Sequence, residues 1–101
     1  MMRQFLYTVF DSKSGIFERP FCARSDAEAL RSFGDIAVSA EHPIGKHPED
    51  YTLFLVGEFD DNKGFIDARD PKVLAPAIGL VARAQSAEVV NENMTKLSEV
   101  N

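Results

Sequence analysis

Four segments of the chain are rich in apolar, aromatic and β-branched residues and have the length of β-strands, in which successive side chains point to opposite faces. The first pair of segments runs from Arg3 to Phe10 and from Ile16 to Arg24, and the second from Tyr51 to Phe59 and from Phe65 to Ala68. A short polar stretch ending in Gly15 or Gly64 joins the members of each pair, as in a hairpin turn. Pro20 interrupts the second segment, which places that strand at a sheet edge or beside a bulge. The pattern predicts two β-hairpins.

A segment with the periodicity of an α-helix lies between the two hairpins. Ser25 is followed three residues later by Glu28, the spacing of a capping box, and acidic residues suit the positive end of a helix. The apolar residues that follow fall on one stripe of a helix: Ala29, Leu30, Phe33, Ile36 and Ala37. We expect this helix to end near Ser39. Gly34 lowers helix stability by about 1 kcal/mol relative to alanine, so we expect a close packing contact there.

Prolines dominate the remaining segments. Glu41 to Asp50 contains two prolines and a glycine and is predicted to be a loop. Beyond Asp70 the pattern weakens, and Pro71 and Pro76 are expected to limit regular structure. The composition allows helices from about Ala77 to Ala87 and from Ala87 to Leu97.

The elements follow one another in β-β-α-β-β order, which predicts a small α+β domain with one well-capped helix on an antiparallel sheet. We expect this single domain over residues 1–84, followed by a polar tail with helical potential over residues 85–101. Two strands are apolar on both faces, whereas one helix covers only one face of a sheet. Either the C-terminal segment or another copy of the chain must cover the other face, and we expect a homo-oligomer.

Composition narrows the function classes. The chain has 101 residues, enough for one domain, and 16 acidic against 11 basic side chains give a net charge of −5. This balance argues against a strongly basic nucleic-acid binder, although it allows a local basic patch. The single cysteine, Cys22, cannot form an internal disulfide, and we expect it to be a small buried residue of a strand. Apolar runs are too short for a signal peptide or a membrane span, which predicts a soluble, intracellular protein.

Candidate catalytic residues are few. His42 and His47 lie near Glu41, Glu49 and Asp50, residue types that bind divalent metals, but their spacing is not that of a standard zinc site. The Gly45-Lys46 pair lacks the rest of a phosphate-binding loop. No local motif supports Cys22 as a nucleophile activated by a histidine. We therefore predict a binding protein, not an enzyme, without cofactor or metal. The enzyme alternative is a metal-dependent nuclease using the histidines and carboxylates of this loop.

Aromatic and basic residues together allow contact with single-stranded nucleic acid, because proteins of that class combine stacking platforms with cations. The aromatic candidates are Phe10, Phe17, Phe21 and Phe54, and the basic candidates are Arg19, Arg24, Lys46 and Lys63. The alternative interpretation is that the phenylalanines form the core and the charges form a solvated surface.

Several blocks of the sequence together resemble a known family. They are the residues from Phe10 to Phe17, Arg19-Pro20-Phe21, the capped helix, and the residues from Lys46 to Phe54 and from Val56 to Asp60. This arrangement resembles the small nonstructural protein of gokushovirus-type microviruses, which are phages with small circular single-stranded DNA genomes. The resemblance extends from about Phe5 to Ala68.

The resemblance implies a viral accessory protein that is not a virion component and acts in the host bacterial cytoplasm. Such a protein is expected to support single-stranded DNA genome replication or its coupling to packaging, by binding single-stranded DNA or a replication complex. The alternative is an adaptor that binds the viral initiator, the procapsid or a host factor without touching DNA. The most specific block would mark a site at His47, Pro48, Glu49, Asp50 and Tyr51, and no catalytic residue is carried over.

Overall fold

The computed structural model describes residues 3–85, which form a curled antiparallel sheet with helices against one face. The strands are β1 (Arg3–Asp11), β2 (Ile16–Phe17), β3 (Phe21–Ala23), β4 (Tyr51–Asp60) and β5 (Phe65–Pro76); the helices are α1 (Asp26–Ala37), α2 (Pro43–Lys46) and α3 (residues 77–85), with a 3₁₀ turn at Pro48–Asp50. The predicted α+β class is confirmed. The second predicted C-terminal helix lies outside the described residues.

The sheet has the strand order β2–β1–β4–β5, and β3 also pairs with β1. All of these pairings are antiparallel. The segment containing β2 and β3 is one returning strand interrupted around Pro20, as the sequence predicted. Since β3 and β4 lie on opposite sides of β1, α1 carries the chain from one side of β1 to the other.

Both hairpin turns are built in the same way. The backbone N–H of Gly15 donates to the carbonyl of Asp11 at 2.8 Å, and that of Gly64 donates to the carbonyl of Asp60 at 2.8 Å. The two glycines have φ of 73° and 76°, a left-handed conformation that glycine adopts without steric cost. The predicted hairpin turns are confirmed.

The N-terminus of α1 is capped as predicted. The Ser25 hydroxyl accepts a hydrogen bond from the backbone N–H of Glu28 at 3.2 Å, and the helix ends at Ala37. The close contact expected at Gly34 is wrong, because a methyl group there would meet only the side chain of Leu80, at 3.9 Å.

The core lies between the sheet and the helices. It is built from Tyr7, Val9, Ala23, Leu53 and Leu55 of the sheet, Ala29, Phe33 and Ala37 of α1, Ile44 of α2 and Ala77 of α3. Leu80 and Val81 pack against the same cluster, so α3 lies on the same side of the sheet as α1. No helix within residues 3–85 is long and apolar enough to cross a membrane.

The segment predicted as a loop, Glu41 to Asp50, contains α2 and the 3₁₀ turn. Pro43 and Pro48 occupy first positions of helical turns, where the missing N–H has no intrahelical partner to lose. The His42 side chain accepts a hydrogen bond from the backbone N–H of Ile44 at 3.1 Å and so caps α2. The prolines start short helical turns here and do not exclude them.

Strand β5 is longer than the sequence predicted. It continues through Pro71 to Pro76, where limited regular structure was expected. Within the described residues β5 pairs only with β4, and its register shifts twice, between Leu53 and Phe54 and between Leu55 and Gly57 of β4. A proline is tolerated at such an edge or bulge because no ladder hydrogen bond is required of it.

Candidate binding face of the sheet

The sheet face turned away from α1, hereafter the open face, carries only uncharged side chains at its paired positions. Residues directly opposite each other in antiparallel strands share a face, so the register identifies them. They are Gln4, Leu6, Thr8 and Phe10 of β1, Phe17 of β2, Cys22 of β3, Thr52, Phe54, Gly57 and Phe59 of β4, and Ile66, Ala68, Val73 and Pro76 of β5. None of these residues is Asp, Glu, Lys or Arg.

The paired charged residues of the long strands lie on the helix side. Arg3 pairs with Asp60, and Lys72 lies opposite Leu55, a core residue. The Glu58 carboxylate accepts from Arg3 Nη1 at 3.0 Å and also from the Arg69 guanidinium. Exposed faces of antiparallel sheets are usually polar. The paired positions of the open face instead carry no charged residue, which indicates that this face is a contact surface.

Several open-face side chains are well exposed. The exposed fraction is 47% for Phe17, 61% for Ile66 and 57% for Val73. Cys22 is also exposed, so its predicted strand position is confirmed and its predicted burial is wrong. A contiguous exposed apolar surface of this kind commonly marks an interaction site.

Three of the four candidate aromatic residues form a cluster on the open face. The ring centroids of Phe10 and Phe17 lie 4.8 Å apart, and Phe54 meets Phe17 edge-on at 5.3 Å. Phe21 lies on the other face, where its ring is 5.7 Å from that of Tyr7 in the core. Its predicted role as an exposed platform is therefore wrong.

A shallow groove of about 280 Å³ crosses the open face. It is lined by Leu6, Thr8, Phe17, Glu18, Pro20, Val56 and Pro71. The Thr8 hydroxyl donates to the backbone carbonyl of Glu18 at 2.6 Å, which holds the chain between β2 and β3 against β1. Glu18 is the one charged residue in this lining, so the groove suits an apolar ligand group better than an anion.

The predicted basic residues are exposed but do not form one patch. Arg24 follows β3, whose Ala23 pairs with Phe5, and Lys63 lies in the turn after Asp60. Both belong to the end of the sheet where β1 begins. Arg19 and Lys46 lie towards the other end of β1, a strand about 27 Å long.

The motif loop of His47, Pro48, Glu49, Asp50 and Tyr51 leads into β4. The backbone carbonyl of Asp50 accepts hydrogen bonds from the N–H of Ser12 at 2.9 Å and from its hydroxyl at 3.1 Å. These bonds fasten the loop to the first hairpin turn. The loop therefore has a structural role in joining β1, β2 and β4.

The motif loop also contains a group of neighbouring side chains of the types that bind metal ions. The ligand atoms of His47, Glu49 and Asp50 lie within 4.8 Å of one another, and His47 Nδ1 is 3.8 Å from Glu49 Oε1. Both of the latter side chains are mostly exposed. His42 is not a member of this group, because its Nδ1 caps α2.

Tyr51 borders a second groove, of about 390 Å³, on the helix side, which Arg19, His42 and Ile44 also line. Burial raises the pKa of the Tyr51 hydroxyl, and the carboxylates of Asp11, Glu18 and Asp50 raise it further. The hydroxyl therefore stays protonated and is a hydrogen-bond donor at neutral pH.

The sequence interpretation missed the contribution of β5 to the open face. Ile66, Val73 and Pro71 line it, but two of these lie beyond Asp70, where no strand was predicted. The alternation Lys72-Val73 was the available signal. Two register shifts in β4–β5 obscured it, because each shift exchanges the faces of the residues that follow.

Comparison with known proteins gives one match. A family model described as phage ORF5 protein matches residues 4–80, which is 77 of the 101 residues and includes the whole sheet except its first residue. No curated protein and no solved structure matches the chain. The match covers the open face, α1 and the motif loop. The chain therefore belongs to the phage ORF5 protein family.

Proposed function

We propose that this phage protein is the nonstructural accessory protein of a gokushovirus-type microvirus. It supports replication of the single-stranded DNA genome, or the coupling of replication to packaging, in the host bacterial cytoplasm. It acts by binding and performs no catalysis. Family membership and the sequence resemblance support the viral context.

The observation that carries the binding role is the open face. Phe17 of its aromatic cluster is exposed beside an apolar groove, while the paired charged residues of the long strands lie on the other side. A protein that works by association needs such a desolvatable surface. The expected partner of the open face is a component of the replication complex.

Direct contact with single-stranded DNA is one form of this role. The rings of Phe10, Phe17 and Phe54 supply apolar aromatic surface, and exposed cations lie at both ends of β1. An adaptor that binds only protein is the second form. It is favoured by the groove lining, whose one charged side chain is the anionic Glu18.

Disrupting the gene in the phage that encodes it tests the function. We expect single-stranded genomes and progeny to fall while the double-stranded replicative form and the virion proteins are still made. Quantitative blotting of the two DNA forms measures this. Unchanged single-stranded DNA with normal progeny would contradict the proposal.

Fluorescence anisotropy with labelled single-stranded DNA separates the two forms. Direct binding should weaken with salt, and Arg24→Gln combined with Lys63→Gln should reduce the salt slope by about 1 to 2. Arg31→Gln, at an exposed position on α1, is a control for the loss of one positive charge elsewhere on the surface. Absence of binding at low salt would leave the adaptor form.

A further inference from the structure

We propose that the open face binds the open face of a second copy of the chain, related by a two-fold axis. This rests on the proposed function in one respect, that the open face acts by association. It adds the identity of the partner and makes a dimer the working unit.

The charge distribution favours a second copy. A two-fold contact brings every residue near the axis opposite its own kind or a close neighbour, so charged residues there would meet like charges. The chain carries a net charge of −5, which opposes the approach of two copies by most of their surface. The paired positions of the open face carry no charged side chain, so the strands of two copies can meet there without burying an unpaired charge from these positions. Glu18 is the one charged side chain in the lining of the groove on this face.

The same charges disfavour single-stranded DNA as the occupant. A phosphate backbone needs nearby cations to replace its counterions. The paired positions of the open face offer no Lys or Arg, and the groove adds only Glu18. Arg24 and Lys63 lie at the end of the sheet, away from Phe17 and its cluster.

The end of the described chain favours another molecule over the chain's own C-terminal segment. Gln85 lines a cavity with Ala37, Val38 and Gly45, at the C-terminal end of α1. That position is on the helix side of the sheet. The described chain therefore ends on the side of the sheet opposite to the open face.

The size of the face predicts a weak dimer. The open face is four strands wide, with about 4.8 Å between neighbouring strands. Along each strand about four residues point to this face, spaced about 7 Å apart, so the area of the face is on the order of 500 Å². Two such faces bury on the order of 1,000 Å² together, the lower end of specific interfaces. We therefore expect a reversible equilibrium with a dissociation constant in the micromolar range.

Sedimentation equilibrium across the micromolar range tests the proposal with the full chain. The wild type should change from monomer to dimer, and Val73→Glu and Ile66→Glu should each weaken the dimer at least about tenfold, because symmetry buries two carboxylates per dimer. Val73→Lys should weaken it similarly, which separates the effect of burial from that of net charge. Phe65→Glu is the matched control, on the same strand but opposite Asp60 on the helix side.

These positions suit the test because the monomer leaves them exposed. Ile66 is 61%, Val73 57% and Phe65 68% exposed, so a charge at any of them leaves the core intact. Thermal unfolding by circular dichroism confirms that each variant folds. Loss of the dimer in Phe65→Glu to the same extent as in Val73→Glu would overturn the assignment of the face.

Cys22 provides a face-specific readout without any substitution. It is the only cysteine, it is exposed, and it lies opposite Leu6 on the open face. Its alkylation rate should fall as wild-type concentration rises and stay constant for Val73→Glu. A dimer in which Cys22 reacts equally at all concentrations would place the contact elsewhere and overturn the proposal.

Three further outcomes would also overturn it. The first is a wild type that stays monomeric. The second is a Cys22 that is protected from alkylation equally at every concentration, which indicates cover by the chain's own C-terminal segment. The third is a dimer that oligothymidylate dissociates while it protects Cys22 from alkylation. The first two leave the phage phenotype and the DNA-binding assay to decide the proposed function separately. The third would support its direct DNA form.

Discussion

The side chain of Tyr7 links the core of the sheet to the first turn of α1. It is fully buried in the core of the sheet, and its hydroxyl donates to Asp26 Oδ1 at 2.7 Å, in the first turn of α1. The two-residue period of a β-strand places Tyr7 on the same face as Phe5 and Val9. Its partner could not be predicted, because Asp26 is nineteen residues away and the contact depends on how α1 crosses the sheet.

Tyr7→Phe should lower the free energy of unfolding by about 1.5 to 3 kcal/mol at neutral pH, because it removes a hydrogen bond to a charged carboxylate. Burial, the hydrogen bond to Asp26 and the charge of Glu28 raise the pKa of Tyr7 above its ordinary value of 10.0. The folded state therefore favours the protonated hydroxyl. This contribution is complete below pH 10 and is lost as pH rises through the folded-state pKa.

Urea unfolding at neutral pH and at about pH 11 measures both effects. Between neutral pH and about pH 11, ionisation of the Tyr7 hydroxyl should lower the stability of the wild type by up to about 1.4 kcal/mol per pH unit. Tyr7→Phe should lose less stability over the same range. Tyr51→Phe is the comparison variant. The pKa of Tyr51 is also raised, so this variant should reduce the alkaline loss too, but by less than Tyr7→Phe because Tyr51 is only partly buried. Equal alkaline losses in the wild type and in Tyr7→Phe would contradict the assignment.

At the scale of the element, the sequence predicted those features that depend on residues close to one another in the chain. Ser25 caps α1 and Gly15 and Gly64 form the hairpin turns, because each acts on backbone within a few residues of itself. The course of β5 through Pro71 depends on β4 and on a register shift, neither of which is visible locally. Prolines therefore misled the prediction twice, at Pro71 in β5 and at Pro43 in α2.

Gly34→Ala should raise the free energy of unfolding by about 0.5 to 1 kcal/mol. Alanine is the better helix former, and the added methyl group would make an ordinary contact with Leu80 at 3.9 Å. Urea unfolding measures the change. A loss of stability would show that the helix packs more tightly at Gly34 than the structure indicates.

Gly57→Ala is the contrasting substitution. A methyl group there would lie 2.4 Å from the backbone oxygen of Asp67 in β5, so the β4–β5 pairing must shift. We expect a loss of more than about 1 kcal/mol, since overpacking costs about 1 to 3 kcal/mol.

At the scale of the whole molecule, the sequence predicted an uncovered sheet face but not its composition. Phe10 and Phe54, two of the aromatic candidates, lie there, but the sequence pattern did not show which face was uncovered. The uncharged character of the face required the register of β5, since a strand that ended at Ala68 would have contributed neither Pro71 nor Val73. The placement of cations at opposite ends likewise depends on tertiary structure.

Backbone amide exchange should follow the strand order. β1 lies between the returning strand and β4, and β4 lies between β1 and β5, so amides of Tyr7, Val9, Leu53 and Leu55 should exchange most slowly. Amides of β5 beyond Ala68 should exchange faster. Hydrogen exchange followed by NMR measures this, and β5 amides as slow as those of β1 would contradict it.

The proline in β5 has a consequence for how far association can proceed. A long outer strand is a template on which further chains can add by backbone pairing, and sheets extended in this way grow into fibres. Pro71 offers no N–H along β5, and the register break beside it interrupts any continuous ladder. Growth along that edge is therefore blocked, so the proposed contact through the open face would join two copies and then stop.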